Sequence, residues 1–519
     1  MKALDSYLED RWVSGSEPFA ELRDPTSGDI TAHVSSKGLD RRAALHHART
    51  VGGPALRAMT FAQRAAMIEQ LAKAIHAHRD ELLELSRRTG GTTRGDGKFD
   101  IDGAASTMQY YAYLGRDLGD RRVLVDGEAE GLLRSKRFVG QHVLVSRPGV
   151  AIHINAFNFP AWGLAEKAAV AWLAGMPVVA KPGIPTGEVS QRIAQLWVET
   201  GVLPPGAFTL VMGEPGDLLD HVGPMDCVAF TGSSATAQKI RQHPAVQRHN
   251  VRLNIEADSL NAYVLGPDVE PGTDTWEMFI NQTVTDLLQK SGQKCTAVRR
   301  IVVPHPIVDD VIGALTDRLS GITVGEPGEK GTDIGPLVTA QQQARVNEGL
   351  ASLASAGVPV FQADAPPQGA FVKPSLFRVE GGVAAPHVHD TEVFGPVSAV
   401  LPCSGEVDEV VDIVVAAGGG LVCSIYSDDP EWAAPVIWGL APWHGRIHWG
   451  SRKVHDQSPG PGTVLPNLVH GGPGKAGGGE ELGGLRGLSF YFQRTAIQAD
   501  RSLIERIVEA DASMSQDNN

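Results

Sequence analysis

Several things are scarce in this 519-residue chain, and each shortage narrows what it does. Cysteine is rare: Cys227, Cys295, Cys403 and Cys423 are the whole set. So few thiols cannot staple a chain this long, which excludes a disulfide framework and implies a reducing, cytoplasmic setting. Long apolar runs are missing as well. No stretch reaches the roughly 18 consecutive apolar residues of a membrane-spanning helix. Residues 1–12 are charged and lack the apolar stretch of a secretory signal. Positive charge is in deficit, with 46 Lys and Arg against 60 Asp and Glu, a net of −14. A nucleic-acid partner would demand the reverse balance. An anionic small molecule remains compatible, because a local basic pocket can sit on an acidic protein.

What is present reads as a globular α/β protein. Hydrophobic residues make up 42% and charged residues 20%, and the 59 glycines and 33 prolines imply many tight turns. The length exceeds what one core organises, so two or three domains are expected.

Residues 1–140 read as mostly helical. Within them, 60–88 carries Ala, Leu and Ile at helical spacing, and the Gly-rich 90–97 breaks the pattern. From 143 the texture changes. Apolar runs at 143–145, 150–154, 177–180, 208–212, 227–230 and 251–255 read as strands. Between them lie helices at 162–174, 188–200, 217–222 and 235–242. Such alternation predicts a parallel sheet covered on both faces, with ligands beyond the carboxyl ends of its strands. A second α/β pattern runs from 276 to 449, with strands at 300–303, 397–401 and 421–426. A Gly/Pro-rich stretch at 458–487 leads into a short apolar strand at 488–492.

The cysteines differ in their surroundings. Cys227 in DCVAF and Cys423 in GLVCSIY lie in apolar strands, and Cys403 in LPCSG ends one. Buried, inert thiols are usual there. Cys295 lies in the polar segment SGQKCTAVRR, close in sequence to Lys294, Arg299 and Arg300, whose charges favour a thiolate. A small structural cysteine fits the same segment.

Other candidates sit at strand ends. NAFNFP (155–160) follows a strand, where an asparagine serves as a turn former, a helix cap or an oxyanion donor. AKP (180–182) puts Lys181 within reach of a ribose or phosphate. FTGSSATA (230–237) puts Gly232 and Ser233 between strand and helix, where backbone amides meet a pyrophosphate. Neither segment carries the G-x-G-x-x-G fingerprint. Glu256, in LNIEADSLNAY, directly follows a strand; it is a helix cap, a solvated carboxylate or a base for water.

In this order on one chain, the segments resemble the aldehyde dehydrogenase superfamily. NAFNFP is similar to its W-N-F-P, AKP to its K-P, FTGSS to its F-T-G-S and GQKC to its G-Q-x-C. Glu256 stands where that family has the Glu of E-L-G-G, and EVFGPV (392–397) resembles its E-x-F-G-P. Two segments depart: ADSLN follows Glu256 in place of L-G-G-K, and HGGPGKAGGGEELGG (470–484) replaces P-F-G-G-x-K-x-S-G. Both departures resemble the branch of coenzyme-A-linked semialdehyde dehydrogenases of aerobic aromatic degradation. That branch includes the dehydrogenase domain of a bifunctional phenylacetate ring-opening enzyme. With no room left for a hydratase domain, this chain is expected to match a stand-alone member.

The resemblance implies an aldehyde dehydrogenase fold: a Rossmann-like parallel-sheet cofactor domain (1–127 and 149–257), an α/β catalytic domain (258–457), a Gly/Pro-rich segment near the active site (458–487) and a small β oligomerisation arm (128–148 and 488–498). A homodimer or a dimer of dimers is expected. The implied chemistry is attack of Cys295 on an aldehyde, with Asn158 and the Cys295 backbone N–H holding the oxyanion, and Glu256 activating water. Lys181 is implied at the adenosine ribose, Gly232 and Ser233 at the pyrophosphate, and Glu392 with Phe394 at the nicotinamide ribose. Many NAD-using relatives carry a Glu three residues after the Lys of K-P; here that position is Ile184. NADP is therefore the expected cofactor, with NAD possible and Thr186 as an added donor to the 2′-phosphate. The expected substrate is 3,4-dehydroadipyl-CoA semialdehyde, with a phenylacetate-pathway semialdehyde or a free aldehyde as alternatives. No metal is implied. Two other classes compete: a cysteine hydrolase or acyltransferase, which needs a His that is not close to Cys295 in sequence, and a non-catalytic nucleotide-binding protein.

Overall fold

The computed structural model describes residues 2–134 and 137–513. Residues 135 and 136, inside the expected 128–148 arm, lie outside the described residues. Two seven-stranded sheets organise the chain. In the first, five parallel strands run in the order Arg252–Glu256, Cys227–Thr231, Ala151–Ile154, Val178–Lys181, Phe208–Leu210. Val178, Val179, Ala180, Cys227 and Val228 are fully buried, as β-branched and small residues must be between two helical layers. Strand order reverses beside Ala151–Ile154, so the loops after Ile154 and after Thr231 diverge. They open a crevice at the carboxyl edge, the place where such sheets bind ligands.

The helices on this sheet are fixed by specific caps and rings. The Arg94–Leu118 helix sends Asp100 to the start of the Trp162–Leu173 helix, where its carboxylate accepts from the backbone N–H groups of Ala161 (3.3 Å) and Trp162 (2.8 Å). That ties the loop following Asn158 to a neighbouring helix. Trp172, Trp197 and Phe208 meet edge to face beneath the sheet at centroid distances of 5.2–5.9 Å. The Phe61–Ala77 helix begins with a reciprocal capping box between Thr60 and Gln63.

The second sheet runs Val358–Gln362, Ser375–Arg378, Val397–Cys403, Arg300–Pro304, Ala262–Leu265, Gly420–Tyr426, His444–Gly450, parallel except at its first strand. A two-stranded ribbon, Val469–Gly472 with Gly479–Leu482, lies across the gap between the sheets: Asn254 bonds Glu480 on one side, and Gly445 has no room for a Cβ against Gly471 on the other. A three-stranded antiparallel sheet, Phe492–Asp500, Phe138–Ser146 and Leu124–Gly131, completes the fold. Among the described residues no helix is long and apolar enough to cross a membrane.

The expectation of a mostly helical 1–140 fails at both ends of that region. Strands occupy Ala3–Leu4, Ser6–Leu8, Arg11–Val13, Ala20–Arg23, Ile30–Val34, Leu124–Gly131 and the start of Phe138–Ser146. The hairpin of Ser6–Leu8 and Arg11–Val13 extends the first sheet through Tyr7 paired with Leu210, and Tyr7 stacks on Phe208. Strands of three residues carry no readable alternation; their partner lies about two hundred positions away. The expected strand at 488–492 is also displaced. Leu485–Leu488 is helical and the strand begins at Phe492, because Tyr491 turns inward to meet the His153 ring nitrogen at 3.0 Å.

Candidate active site

The crevice contains a small cavity of about 50 Å³. Asn158, Glu256 and Cys295 all line it, with Phe99, Phe159, Trp162 and Val464 forming apolar walls. These residues come from three separate segments, so their convergence depends on how the backbone turns.

Cys295 is delivered by a left-handed turn. Lys290 (φ 55°), Ser291 (φ 55°) and Gly292 (φ 68°) lie consecutively in a region that L-residues avoid. Each is held. Lys290 N–H donates to Asp96 at 2.9 Å, and its ammonium lies 4.5 Å from the centroid of the Phe159 ring. The Ser291 hydroxyl donates to the Gly335 carbonyl at 2.9 Å. Gly292 abuts Gly395: a Cβ there would sit 2.2 Å from the Gly395 carbonyl. The glycines of GQKC and EVFGP thus touch, backbone to backbone. The carboxamide of Gln293 accepts from Val338 N–H (3.1 Å), while its carbonyl accepts from Asn158 Nδ2 (3.1 Å). Asn158 keeps its other amide hydrogen for the cavity.

The ADSLN segment has a structural task. Asn261 Nδ2 donates to the carbonyls of Cys295 (2.8 Å) and Ala297 (2.9 Å), and Ser259 Oγ meets Asn261 Oδ1 at 2.7 Å. The Cys295 segment is therefore bonded from both sides.

The cations expected to favour the thiolate are turned elsewhere. Lys294 is bound to Asp286 and to Gln289 (2.8 Å). Arg299 pairs with Glu392 at 3.3 Å. Arg300 is buried among the carbonyls of Leu260, Ile413 and Val414. Burial and the Glu256 charge instead push the Cys295 thiol well above its ordinary value. Burial also lifts Cys227 and Cys423 to about 12 and Cys403 to about 11, so thiol acidity alone does not single out Cys295. Its place on the cavity and its partners do.

The chief partner is His470, which the sequence reading did not pick out. Its Nε2 lies 3.8 Å from Cys295 Sγ and 3.2 Å from Glu256 Oε2. His470 is 6% exposed and Glu256 3%. Burial alone drives the Glu256 carboxyl up and the His470 imidazole down. Their mutual attraction outweighs it, so the carboxyl ends below and the imidazole above its ordinary value. Beyond Glu256, Lys167 bridges Glu166 (3.2 Å) and Glu481 (3.0 Å). The only available signal for His470 was the departure of its segment from P-F-G-G-x-K-x-S-G, where a His precedes Gly471.

The remaining candidates lie at the strand ends and loops around the crevice. Gly232 lies at the switch point, where a Cβ would meet the Phe230 ring at 2.6 Å. Ser233 caps the Ser234–Arg241 helix by accepting from Thr236 N–H. Lys181 is buried at its strand end, and among the described residues its ammonium makes no hydrogen bond or ion pair; burial pulls the ammonium down more than the Glu214 charge pulls it up. Asn155 is buried, and neither side-chain atom has a partner among the described residues. Phe394 meets Phe157 edge to face at 6.1 Å, and Arg299 lies 5.5 Å from its ring centroid. The helix start is already bonded, Gly232 N–H to the Glu256 carbonyl (3.2 Å) and Ser234 N–H to Asp258 (3.2 Å); the Lys181 ammonium, unpartnered among the described residues, is the group that fits a dinucleotide. Ile184 packs on the core of the first sheet. Thr186 departs from expectation: its buried hydroxyl donates to the Phe157 carbonyl at 2.7 Å, so that hydrogen braces NAFNFP and is not offered to a phosphate.

Comparison with known proteins agrees with this geometry. Residues 12–497 match the aldehyde dehydrogenase family. The chain is 44% identical over 479 residues to the 3,4-dehydroadipyl-CoA semialdehyde dehydrogenase of Aromatoleum evansii, covering 91% of this chain and 93% of that one. It is 28% identical to a betaine aldehyde dehydrogenase of Vibrio vulnificus, over 81% of this chain and 84% of the relative. Among solved structures, a putative aldehyde dehydrogenase from Burkholderia cenocepacia superposes with a TM-score of 0.82 at 23% identity, covering 96% of this chain and 99% of that one. The NAD+ complex of an aldehyde dehydrogenase from Bacillus cereus gives 0.82 at 24% identity, covering 96% and 97%. With the family match spanning nearly all of the fold and the site, the chain belongs to the aldehyde dehydrogenase family, oxidoreductases that act on aldehydes with NAD(P).

Proposed function

We propose that this enzyme oxidises a coenzyme-A-linked semialdehyde to the carboxylic acid, with Cys295 as nucleophile, Asn158 as oxyanion donor, Glu256 as the base for water and NADP as cofactor. The observation that carries this reading is the convergence of those three side chains on one cavity. The sulfur attacks the aldehyde carbon, forming a C–S bond and an oxyanion. The free Asn158 amide hydrogen and the Cys295 backbone N–H receive that charge; losing one such donor costs about 10²–10³ in turnover. Bound NADP supplies the hydride acceptor that turns the adduct into a thioester. Glu256 then takes a proton from water, whose oxygen bonds the acyl carbon as the C–S bond breaks. The relative from A. evansii supports 3,4-dehydroadipyl-CoA semialdehyde as substrate. The apolar walls of the cavity suit the acyl arm, and its small volume, about 50 Å³, keeps the bulky nucleotide part outside. Alanine at Cys295 is expected to abolish NADPH formation from this semialdehyde, while alanine at Cys227, Cys403 or Cys423 leaves most of it. Turnover surviving at Cys295→Ala removes the nucleophile. Equal kcat/KM for the free and CoA-linked aldehydes removes the substrate class.

The choice of NADP rests on Ile184. A carboxylate at that position would sit a few ångströms from a 2′-phosphate, and two such anions repel by several kcal/mol at an effective dielectric of about 20. Ile184 removes that repulsion, and buried Lys181, with no ion pair of its own among the described residues, supplies the opposite charge. Glu214, whose charge reaches Lys181, favours the opposite reading, NAD. The expected outcome is a higher kcat/KM with NADP than with NAD, and a shift toward NAD in Ile184→Glu. A wild-type preference of tenfold for NAD contradicts it.

We infer further that the enzyme is a homodimer or a dimer of dimers. The sheet of Leu124–Gly131, Phe138–Ser146 and Phe492–Asp500 has two open edges and exposes Val125 and Phe138. Unpaired edges of this kind invite strand pairing with another copy. Sedimentation at micromolar concentration is expected to give a multiple of 55.1 kDa. A clean monomer contradicts the inference.

A further inference from the structure

The buried contact between Cys295 and His470 leaves open which group accepts the thiol proton. Glu256 has a different task, taking the later proton from water, and its carboxyl is held below the ordinary range while His470 is charged. His470 is better placed, with one nitrogen 3.8 Å from the sulfur and 3.2 Å from the carboxylate. An imidazole is also closer to a thiol in proton affinity than a carboxylate is. We propose that His470 is a catalytic residue of this enzyme, its Nε2 taking the Cys295 thiol proton to form a thiolate–imidazolium pair steadied by Glu256. The S–H bond breaks, its electron pair stays on sulfur, and an N–H bond forms on the ring. The net charge of the three groups does not change, so a buried site accommodates the transfer without gaining charge.

The surroundings are consistent with this assignment. The Val469–Gly472 strand that carries His470 faces Glu256 at the end of Arg252–Glu256 and Cys295 beyond the left-handed turn. Glu166, next to Lys167 on the Trp162–Leu173 helix, reinforces a positive imidazole, and Arg446 on His444–Gly450 opposes it. Glu481, on the paired strand, is bound to Lys167. Glu392 is bound to Arg299. The common P-F-G-G-x-K-x-S-G segment offers no titratable group before its glycine pair, whereas His470 stands before Gly471 and Gly472. The alternative is that His470 only props Glu256 in place; losing such a prop would let the Glu256 charge move away and Cys295 ionise at lower, not higher, pH.

This inference rests on Cys295 as the nucleophile, and its test reads thiol reactivity, not turnover. The probe is iodoacetamide on the full-length enzyme without aldehyde; Cys227, Cys403 and Cys423 are buried, so alkylation reports on Cys295, checked by the mass of its peptide. In wild type the imidazolium is expected to offset part of the upward push that burial and the Glu256 charge give the thiol. In H470Q the alkylation rate near neutrality is expected to fall at least tenfold, its midpoint moving up by about one pH unit or more. H470N serves as a second variant, with NADP binding confirming the fold of each. Superimposable profiles for wild type and either variant overturn the proposal, and so does a midpoint that moves down. Failure of the nucleophile reading looks different: it is turnover that survives Cys295→Ala.

Discussion

The left-handed turn at Lys290, Ser291 and Gly292 is the constraint on which the site depends. Two non-glycine residues in that conformation store strain of order 1–3 kcal/mol each. They persist because Asp96, the Gly335 carbonyl and the backbone of Gly395 fix the turn from three directions. Asp96 belongs to a helix beneath the first sheet, while Gly395 precedes a strand of the second. The turn therefore works as a clasp between the two sheets. It presents Cys295, from the second sheet's side, to Asn158 and Glu256 at the carboxyl edge of the first.

Electrostatics in the cavity follow from that docking. Glu256, His470, Lys167, Glu166 and Glu481 form a buried run of alternating charge reaching away from the sulfur. Buried ion pairs seldom stabilise a fold more than apolar packing of the same volume would. Their presence beside Cys295 is better accounted for by chemistry: His470 holds the Glu256 carboxyl below its ordinary value, burial lifts Glu481 to about 7, and the thiol has an imidazole within reach. Two side chains at strand ends lack such pairing. The Lys181 ammonium and the side chain of Asn155, which lines the same cavity as Cys295, have no partner among the described residues, as suits groups that wait for a ligand.

Much of this was legible in the amino-acid sequence, for physical reasons. The parallel strands announce themselves because burial on both faces demands runs such as Val178–Lys181 and Cys227–Thr231. Cys295, Asn158 and Glu256 lie in ordered motifs at strand ends and turns, where local sequence determines local geometry. His470 was hidden because its role is defined only by contacts with residues more than 170 positions away. The flanking cations misled for a related reason: proximity in sequence says nothing of direction, and Arg300 alternates to the far face of its strand while Arg299 turns to Glu392. Thr186 was read as free, when its hydroxyl is spent bracing the loop it follows. The N-terminal strands escaped notice because two to five residues are too few to show a period.

The central claim is that one cavity performs both halves of the reaction, with Cys295 carrying the acyl group between them and Glu256 needed only for its release. Substituting Glu256→Gln separates the halves, since a neutral amide cannot take a proton from water. Rapid mixing of this variant with the semialdehyde and NADP is the decisive measurement. The account predicts a burst of NADPH near one per active site, a slow steady state, and an acyl mass on the Cys295 peptide. A burst-free trace at wild-type turnover, with that peptide unmodified, would contradict it.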